Sequence, residues 1–428
     1  MLVSFKVANV YSFDSMVEFS MVVPRKTSRH KNHVVDLDGM PVLRGAIMYG
    51  ANAAGKSNFL KALKLLRLMI DVGSCRSALG MQFKRGASVG QDMVFELVYS
   101  APGDSDIFRY RLETNGDSVL HEVLELLSDK RVLFERTRLK VDFPGQEDAW
   151  YHTAMDRSLR KDGLCISQLE GRGIEDNAQS IAGASVFVKA LSGVRAINVI
   201  HSNASMTANS FARLFDVQGF RDFLLDLIVA ADVGIADVQW HPLSRPQMRM
   251  LLDSRADDGN DVKDGISFMQ RMGSFFAVAR KDGDTKAFEL RFKHGDVFMS
   301  AREESEGTIR LLHMSGFLFG LLTAEETWFV DEIDCHLHPF LAKMLLTRFF
   351  GEYNARSQLI VTTHDTNLMA SDVWRTDEVW FAEKRGDGST DLYSMYQFTP
   401  RYDKNLAKGY LQGLYGALPF LSRKQCHG

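Results

Sequence analysis

The pattern of hydrophobic and polar positions divides the chain into three parts. Period-two alternation predicts strands within the first 145 residues, and apolar residues at helical spacing dominate from about 150 to 230. In the last third, strands and helices alternate, which indicates a parallel sheet in an α/β core. The predicted elements are two strands within 1–24 around a turn at 12–15, strands at 46–49, 94–99, 108–112, 132–136, 274–280, 288–292, 327–330, 358–362, 378–382 and 392–396, and helices at 57–71, 211–231, 309 onward and 339–350.

These elements predict a core that is built from both ends of the chain. Residues 1–145 would form its first part with an antiparallel meander, 146–270 a mainly helical insertion, and 271–428 its second part. The acidic stretch 253–265 is interpreted as a solvated linker, because it lacks the regular ligand spacing of a calcium loop. The sequence has no sustained heptad run, which excludes a long coiled-coil arm.

Composition narrows the class of protein further. The chain has 428 residues, 45% of them hydrophobic and 25% charged, as is typical of globular proteins. A net charge of −3 gives no overall attraction to nucleic acid, so such a contact would need a local patch such as the basic run 25–33. The four cysteines form no CxxC pair, which argues against a metal ribbon or a disulfide framework. The N-terminus lacks the apolar segment of a signal peptide. The longest apolar stretch, 311–324, is too short to span a bilayer. We therefore expect a cytoplasmic protein without a membrane span.

A glycine-rich loop lies between the predicted strand at 46–49 and the predicted helix at 57–71. It runs from Gly50 to Ser57 and has the pattern of a P-loop, in which backbone N–H groups surround the β-phosphate of a nucleotide. Lys56 would neutralise β- and γ-phosphate oxygens, and the Ser57 hydroxyl would bind Mg²⁺. We therefore predict ATP and Mg²⁺ as ligands. The candidate nucleotide-binding residues of this segment are Gly50, Asn52, Gly55, Lys56, Ser57 and Asn58.

Two acidic residues end the apolar strand predicted at 327–330. Asp331 is the candidate Mg²⁺ ligand, acting through water, and Glu332 is the candidate general base that polarises the attacking water. Together with Asp334, the same residues also fit a two-metal nuclease cluster. The P-loop upstream favours the ATPase interpretation.

Two further segments carry candidate phosphate contacts. Ser305 and Gly307 precede the helix predicted from about 309, where a hydroxyl, backbone N–H groups and the helix dipole can face an anion, although an ordinary N-cap has the same sequence. His364 follows the strand predicted at 358–362, and beside the other motifs it is a candidate catalytic contact to the γ-phosphate.

Two assignments rest on weaker signals. His336 and His338 have the chemistry of metal ligands, but the sequence offers no third or fourth ligand nearby, so their segment is interpreted as a loop. A glutamine that links Mg²⁺ to the insertion could be Gln168 or Gln91, and neither stands in a distinctive motif.

With these motifs the chain resembles bacterial ABC-type ATPases of the AAA group, related to SMC-like repair proteins and to the N-terminal half of overcoming-lysogenization-defect nucleases. The resemblance spans nearly the whole length and is carried by the segments 5–9, 12–13, 49–58, 305–308, 331–334, 337–339, 362–365 and 410–419. One departure is Tyr11, because relatives commonly carry Arg or Lys just before the serine of this turn, near the nucleotide.

The resemblance implies an ABC- or SMC-like ATPase head that works as an assembly. In such enzymes the surface equivalent to Ser305 and Gly307 meets the nucleotide bound by the opposite protomer, and the loop from Asp334 to Pro339 crosses the dimer interface. It therefore implies a homodimer or higher homo-oligomer with a slow, dimerisation-dependent ATPase activity.

The resemblance also implies a biological setting. Related ATPases occur in anti-phage defence modules of the Septu, PARIS and retron types, where a sensor or scaffold ATPase is paired with a separately encoded toxic effector, a nuclease or a toxin. The stretch after His364 is expected to be too short for a Toprim nuclease domain. The alternative is a DNA-repair or DNA-end-binding ATPase, and whether the insertion contacts nucleic acid stays open.

Overall fold

The computed structural model divides the chain into two compact units. The first comprises residues 1–202, 324–335 and 342–428, and the second comprises 203–323 and 336–341. The residues that the structure describes are 1–24, 30–85, 90–145, 159–169, 178–201, 218–231, 234–253, 265–281, 284–352, 356–370, 372–398 and 406–418. None of the helices in these ranges is long and apolar enough to cross a membrane.

The elements of the described ranges are mixed along the whole chain. The strands are β1 (Leu2–Ala8), β2 (Val17–Ser20), β3 (Val34–Leu37), β4 (Met40–Leu43), β5 (Gly45–Tyr49), β6 (Met93–Ser100), β7 (Ile107–Thr114), β8 (Val119–Leu126), β9 (Arg131–Thr137), β10 (Lys140–Asp142), β11 (Ile197–Ile200), β12 (Asp237–Pro242), β13 (Gly265–Arg271), β14 (Ser274–Lys281), β15 (Asp284–His294), β16 (Val297–Ser300), β17 (Thr327–Val330), β18 (Gln358–Thr362), β19 (Val379–Lys384) and β20 (Thr390–Ser394). The helices are α1 (Lys56–Val72), α2 (Cys165–Gln168), α3 (Ala178–Arg195), α4 (Gln218–Ala230), α5 (Arg245–Asp253), α6 (Glu306–Thr323), α7 (Pro339–Glu352) and α8 (Leu406–Leu411).

A six-stranded sheet forms the centre of the first unit. Its order is β11-β17-β18-β5-β19-β20, and all neighbours pair in parallel except β19 and β20. Every residue of β5 and β18 is buried, which explains why both strands read as continuous apolar runs. Because these strands are parallel, the loops after β5, β17 and β18 all lie at the carboxyl ends of the strands, on one side of the sheet.

A seven-stranded antiparallel sheet covers the first unit, with the order β10-β9-β8-β7-β6-β1-β2. Helix α1 buries its apolar face in the core that this sheet shares with the parallel sheet. The Phe59 ring shows how the layers join, since its centroid lies 5.5 Å from that of Phe5 in β1 and 6.4 Å from that of Phe329 in β17. Burial of one such ring stabilises the fold by about 1.5–3 kcal/mol.

The second unit has a sheet of its own. Strands β12, β15, β14 and β13 pair in that order, β16 adds to β15, and all of these pairings are antiparallel. Helices α4 and α6 pack against it through a separate apolar core that includes Phe220, Leu224 and Phe292. The two halves of this core come from the chain on either side of the residues 254–264.

The predicted α/β core and the antiparallel meander are both confirmed, and the strands predicted at 274–280 and 288–292 correspond to β14 and β15. These two strands pair within the second unit, so the compact units divide the chain elsewhere than at 145/146 and 270/271. In the stretch predicted as mainly helical, strands β11, β12 and β13 accompany the helices. Residues 254–264 of the acidic stretch, 25–29 of the basic run and 282–283 between the two predicted strands lie outside the described residues.

Candidate nucleotide site

Close contacts with β19 and β20 require glycine at two positions of the P-loop. Gly50 has a φ of 158°, and a Cβ there would lie 2.3 Å from the carbonyl oxygen of Ala382. Gly55 has a φ of 116°, and a Cβ there would lie 2.2 Å from Thr390 Oγ1. Gly55 is also the N-cap of α1 and provides no side-chain cap, so the first N–H groups of α1 are available to an anion.

The side chain of Lys56, the first residue of α1, folds back into the P-loop. It is buried, and Nζ donates to the carbonyl oxygens of Gly50 at 2.8 Å and Ala51 at 3.2 Å. Burial lowers the pKa of Lys56 to about 8, while the charges of nearby carboxylates, Asp331 first, act in the opposite direction. The lysine therefore lies in the field of the acidic residues that follow β17.

The Asp331 carboxylate is held by a residue of the neighbouring strand. Thr362, the last residue of β18, is fully buried, and its Oγ1 donates to Asp331 Oδ1 at 2.6 Å. The same hydroxyl accepts a hydrogen bond from the backbone N–H of Glu332 at 2.8 Å. One threonine thus fixes both acidic residues that the sequence singled out.

Glu332 stands in a strained backbone conformation. Its φ is 49°, in the left-handed region that residues with a side chain rarely adopt. Such strain persists only where surrounding contacts hold it, and here the Thr362 hydroxyl is one of these contacts. At this bend the chain leaves the carboxyl end of β17, on the same side of the sheet as the P-loop after β5.

His364 and Asp334 lie in the same electrostatic neighbourhood. Desolvation and the positive charge of Lys56 lower the pKa of His364, and Asp334, Glu332 and Asp331 oppose this shift. Among the described residues, Asp334 Oδ1 is buried without a hydrogen-bond partner. Lys56, His364 and the three acidic residues after β17 therefore lie together at one end of the parallel sheet.

The remaining residues of the loop point in different directions. Asn52 is exposed at the tip, and Ser57 is partly exposed in the first turn of α1. Asn58 Nδ2 donates to Ser12 Oγ at 3.0 Å, and Thr390 Oγ1 donates to the same oxygen at 2.8 Å. Hydrogen bonds to the Ser12 hydroxyl thus connect the N-terminal turn to α1 and to β20, and no sequence motif predicts these contacts.

Two cavities flank the P-loop. One has a volume of about 350 Å³ and includes Tyr11, Asn58, Lys84 and Arg85 in its lining. The other has a volume of about 780 Å³ and is lined by the start of the loop, His364 and residues of α8, among others. Lys384 contributes to both linings. The first cavity combines an aromatic ring with positive charges next to α1.

Ser305 and Gly307 belong to the second unit. Ser305 Oγ accepts from the backbone N–H of Thr308 at 3.1 Å, so it caps the N-terminus of α6. A Cβ at Gly307 would lie 3.1 Å from the carbonyl oxygen of His336. His336 Nδ1 is 2.9 Å from a carboxylate oxygen of Glu306. The backbone of this capped turn and the 336–338 loop therefore pack closely within the second unit.

The structure does not bring Gln168 to the P-loop. Helix α2, which ends at Gln168, packs on the C-terminal end of α1, where Ser167 Oγ donates to the Ile70 carbonyl at 2.6 Å. The P-loop lies at the other end of this 17-residue helix, about 25 Å away at 1.5 Å per residue. Gln91 is exposed just before β6, and its carbonyl accepts from Asn9 Nδ2 at 2.5 Å.

The donor set at this site fits Mg²⁺ bound together with a nucleotide. Ser57 and Asp331 offer a hydroxyl and a carboxylate, and Mg²⁺ is usually bound by one or two carboxylates plus substrate phosphates. The unpartnered, buried Asp334 Oδ1 is a further oxygen acceptor within the described part of the chain. Among those same residues, no group of three or more His, Cys, Asp or Glu side chains is arranged to hold a metal ion by itself.

Several solved structures resemble this chain. The SMC head domain from Thermotoga maritima is 12% identical with a TM-score of 0.41, and the match covers 92% of this chain and 98% of that one. The Smc head bound to the C-winged helix domain of ScpA is 14% identical with a TM-score of 0.43, covering 92% and 97%. A Smc head with an extended coiled coil, bound to the C-terminal domain of ScpA derived from Pyrococcus furiosus, is 12% identical with a TM-score of 0.41, covering 96% and 99%. No curated protein matches the chain.

A family model matches residues 46–159 and 190–370, which include the P-loop, the capped turn before α6, β17 and β18. The parallel core with its P-loop and the antiparallel meander confirm the predicted α/β fold class. The chain belongs to the family described as "AAA domain, putative AbiEii toxin, Type IV TA system".

Proposed function

We propose that this protein binds ATP with Mg²⁺ and hydrolyses it to ADP and phosphate. The observation that carries the proposal is that Lys56 lies in the field of Asp331 and Glu332, two residues that the Thr362 hydroxyl holds at the end of β17. Glycine-enforced backbone geometry at the P-loop supports the phosphate end of this assignment. Such a constellation suits phosphoryl transfer, where positioning and charge stabilisation supply most of the catalysis.

Each residue has a distinct role in the proposed reaction. Lys56 moves from its loop carbonyls to the β- and γ-phosphate oxygens, and the N–H groups at the start of α1 bind the β-phosphate. Ser57 and Asp331 would hold Mg²⁺, which when bound would neutralise charge on the phosphates. Glu332 accepts a proton from the attacking water, and His364 contacts the γ-phosphate.

We propose that a second copy completes the site. Ser305 and Gly307, at the N-terminus of α6, would contact the γ-phosphate of the nucleotide bound by the other protomer, and Asp334 would lie in the interface. The N–H groups and dipole at this helix end suit an anion. Since hydrolysis then depends on docking of two protomers, turnover would be slow and would rise with protein concentration.

The biological role that we propose is that of a sensor or scaffold in an anti-phage defence system. The family description names a toxin and a Type IV TA system, which supports a role in the control of toxicity. ATP binding would hold the ATPase in an assembly with a separately encoded nuclease or toxin. Hydrolysis or a phage trigger would release or activate that effector.

The catalytic assignment is tested by two substitutions with matched controls. Lys56→Ala should abolish ATP binding, measured with a fluorescent ATP analogue, whereas Lys61→Ala on an exposed face of α1 should not. Glu332→Gln should bind ATP, lower turnover by at least about a hundredfold and shift the protein to a larger species in gel filtration with ATP. Glu326→Gln, at the opposite end of β17, is its control.

The outcomes separate the parts of the proposal. Unchanged ATP affinity in Lys56→Ala would remove the P-loop assignment. Wild-type turnover in Glu332→Gln would show that Glu332 is not the base. The same Glu332→Gln protein, purified with its genomic neighbours, should carry a nuclease- or toxin-like partner, whereas recovery of DNA without a protein partner would favour the DNA-repair alternative.

A further inference from the structure

Strand β11 places a histidine beside the candidate metal ligand. β11 is the edge strand of the parallel sheet and pairs with β17 in parallel, with Ile200 opposite Val330. The ladder continues one step further, since the N–H of Asp331 donates to the Ile200 carbonyl at 2.9 Å. His201, the next residue, is therefore held at the level of Asp331 by backbone pairing.

The side chains of this pair are also close. His201 Nδ1 lies 3.6 Å from Asp331 Oδ2, while the other carboxylate oxygen accepts from Thr362. Asp331 is thus held on one side by β18 and flanked on the other by the residue that ends β11. The Asp331 side chain is 7% exposed and that of His201 is 31% exposed, so the imidazole is the accessible part of the pair.

The backbone that carries His201 is tied to the P-loop helix. Arg67, in the middle of α1, donates through Nη1 to the Ile197 carbonyl and, at 3.0 Å, to Asn198 Oδ1. The first segment of the first unit ends one residue beyond His201, at Ser202, and the chain then enters the second unit. His201 therefore stands where the chain passes from the first unit to the second, a place that neither Gln168 nor Gln91 occupies.

We propose that His201 is a positioning residue for Mg²⁺ in this protein. An imidazole has nitrogens on opposite sides of its ring, so a ring that turns Nδ1 toward Asp331 leaves Nε2 to bind a second group, such as a water of the nucleotide-bound Mg²⁺. Loss of a group that positions a metal-binding carboxylate commonly lowers the metal affinity about 10–100-fold. His201 takes this role, and the inference rests on the proposed ATP and Mg²⁺ site.

The experiment measures metal affinity apart from turnover. Mn²⁺ is titrated into the full chain with a non-hydrolysable ATP analogue, and free Mn²⁺ is followed by its EPR signal. His201→Ala should raise the Kd for Mn²⁺ about tenfold or more, while its Kd for the analogue in EDTA stays at the wild-type value. His201→Gln, which can bond to two groups through its amide, should recover most of the loss.

His121→Ala is the matched control, because His121 also pairs with a carboxylate, Glu135 at 2.9 Å, and is 28% exposed. An equal Mn²⁺ Kd in His201→Ala and wild type would overturn the inference and leave the proposed function intact. An equal loss in His121→Ala would also overturn it. If the wild type binds neither the analogue nor Mn²⁺ with the analogue, the proposed function fails and the inference fails with it.

Discussion

Replacement of Thr362 by valine removes one hydroxyl from the centre of the candidate site. Valine keeps the β-branched shape that suits the fully buried end of β18. The change deletes the donor to Asp331 Oδ1 at 2.6 Å and the acceptor for the Glu332 N–H at 2.8 Å. Two residues with proposed functional roles, Asp331 and Glu332, would each lose a hydrogen-bond partner.

The magnitude follows from these two bonds. A hydrogen bond to a charged group contributes about 1.5–3 kcal/mol, and a buried donor left without a partner costs about 1–3 kcal/mol. Because Asp331 and Glu332 lie at a strand end and Asp331 still has His201 beside it, we expect the lower part of the summed range, about 2.5–4 kcal/mol. The φ of 49° at Glu332 would also lose one of its supporting contacts.

Thr327→Val separates lost stability from lost function. Thr327 is equally buried at the start of β17, and its Oγ1 donates to Gln358 Oε1 at 2.8 Å. Both variants should melt at a lower temperature, measured by differential scanning fluorimetry. Only Thr362→Val should weaken the Mg²⁺-dependent part of ATP affinity, by about tenfold if Asp331 is misplaced. If both variants retain the same Mg²⁺-dependent affinity, the hydroxyl does not position Asp331, and the reasoning is refuted.

Two further predictions concern the P-loop. Because burial lowers the pKa of Lys56 to about 8, the free protein loses the charge of this lysine above pH 8. The Kd for ATP should therefore rise by up to about tenfold per pH unit above pH 8 and stay constant below it. In the unfolded chain the lysine keeps its proton up to a pKa of 10.5, so its deprotonation in the folded protein makes the free energy of unfolding rise between pH 8 and 10.5. Lys56→Arg should remove the break at pH 8 in titrations of ATP affinity, and a break that persists would assign it to another group. Gly55→Ala places a methyl group 2.2 Å from Thr390 Oγ1 at a φ of 116° and should lower stability by at least about 1–3 kcal/mol and weaken ATP binding. Gly351→Ala in α7, where a Cβ meets nothing within 4 Å, should not destabilise in the same melts, and equal losses would contradict the steric argument.

The meander shows where the local pattern was insufficient. The sequence predicted three strands there, whereas β8 and β10 also belong to it. In β8 the apolar residues Val119, Leu120, Val123 and Leu124 follow a spacing that fits a helix as well as a strand. Pairing with β7 on one side and β9 on the other decides in favour of a strand, and this pairing depends on residues outside the window.

The sequence by itself determined the parts of this protein that depend on contiguous residues. The P-loop between a buried strand and an amphipathic helix is such a unit, because the left-handed backbone at Gly55 and the side chain of Lys56 both act within a few residues. The apolar runs that end at Asp331 and at Thr362 likewise identified β17 and β18. The elements that carry the candidate site were therefore readable before any fold was known.

Only the tertiary structure decided which residues support one another across strands. Thr362 reaches Asp331 and Glu332 because β18 lies between β17 and β5, and His201 reaches Asp331 because β11 forms the edge beside β17. Strand order and register follow from long-range packing and backbone pairing, which no local motif encodes. The same reason explains why Gln168 seemed a candidate in the sequence yet lies at the far end of α1.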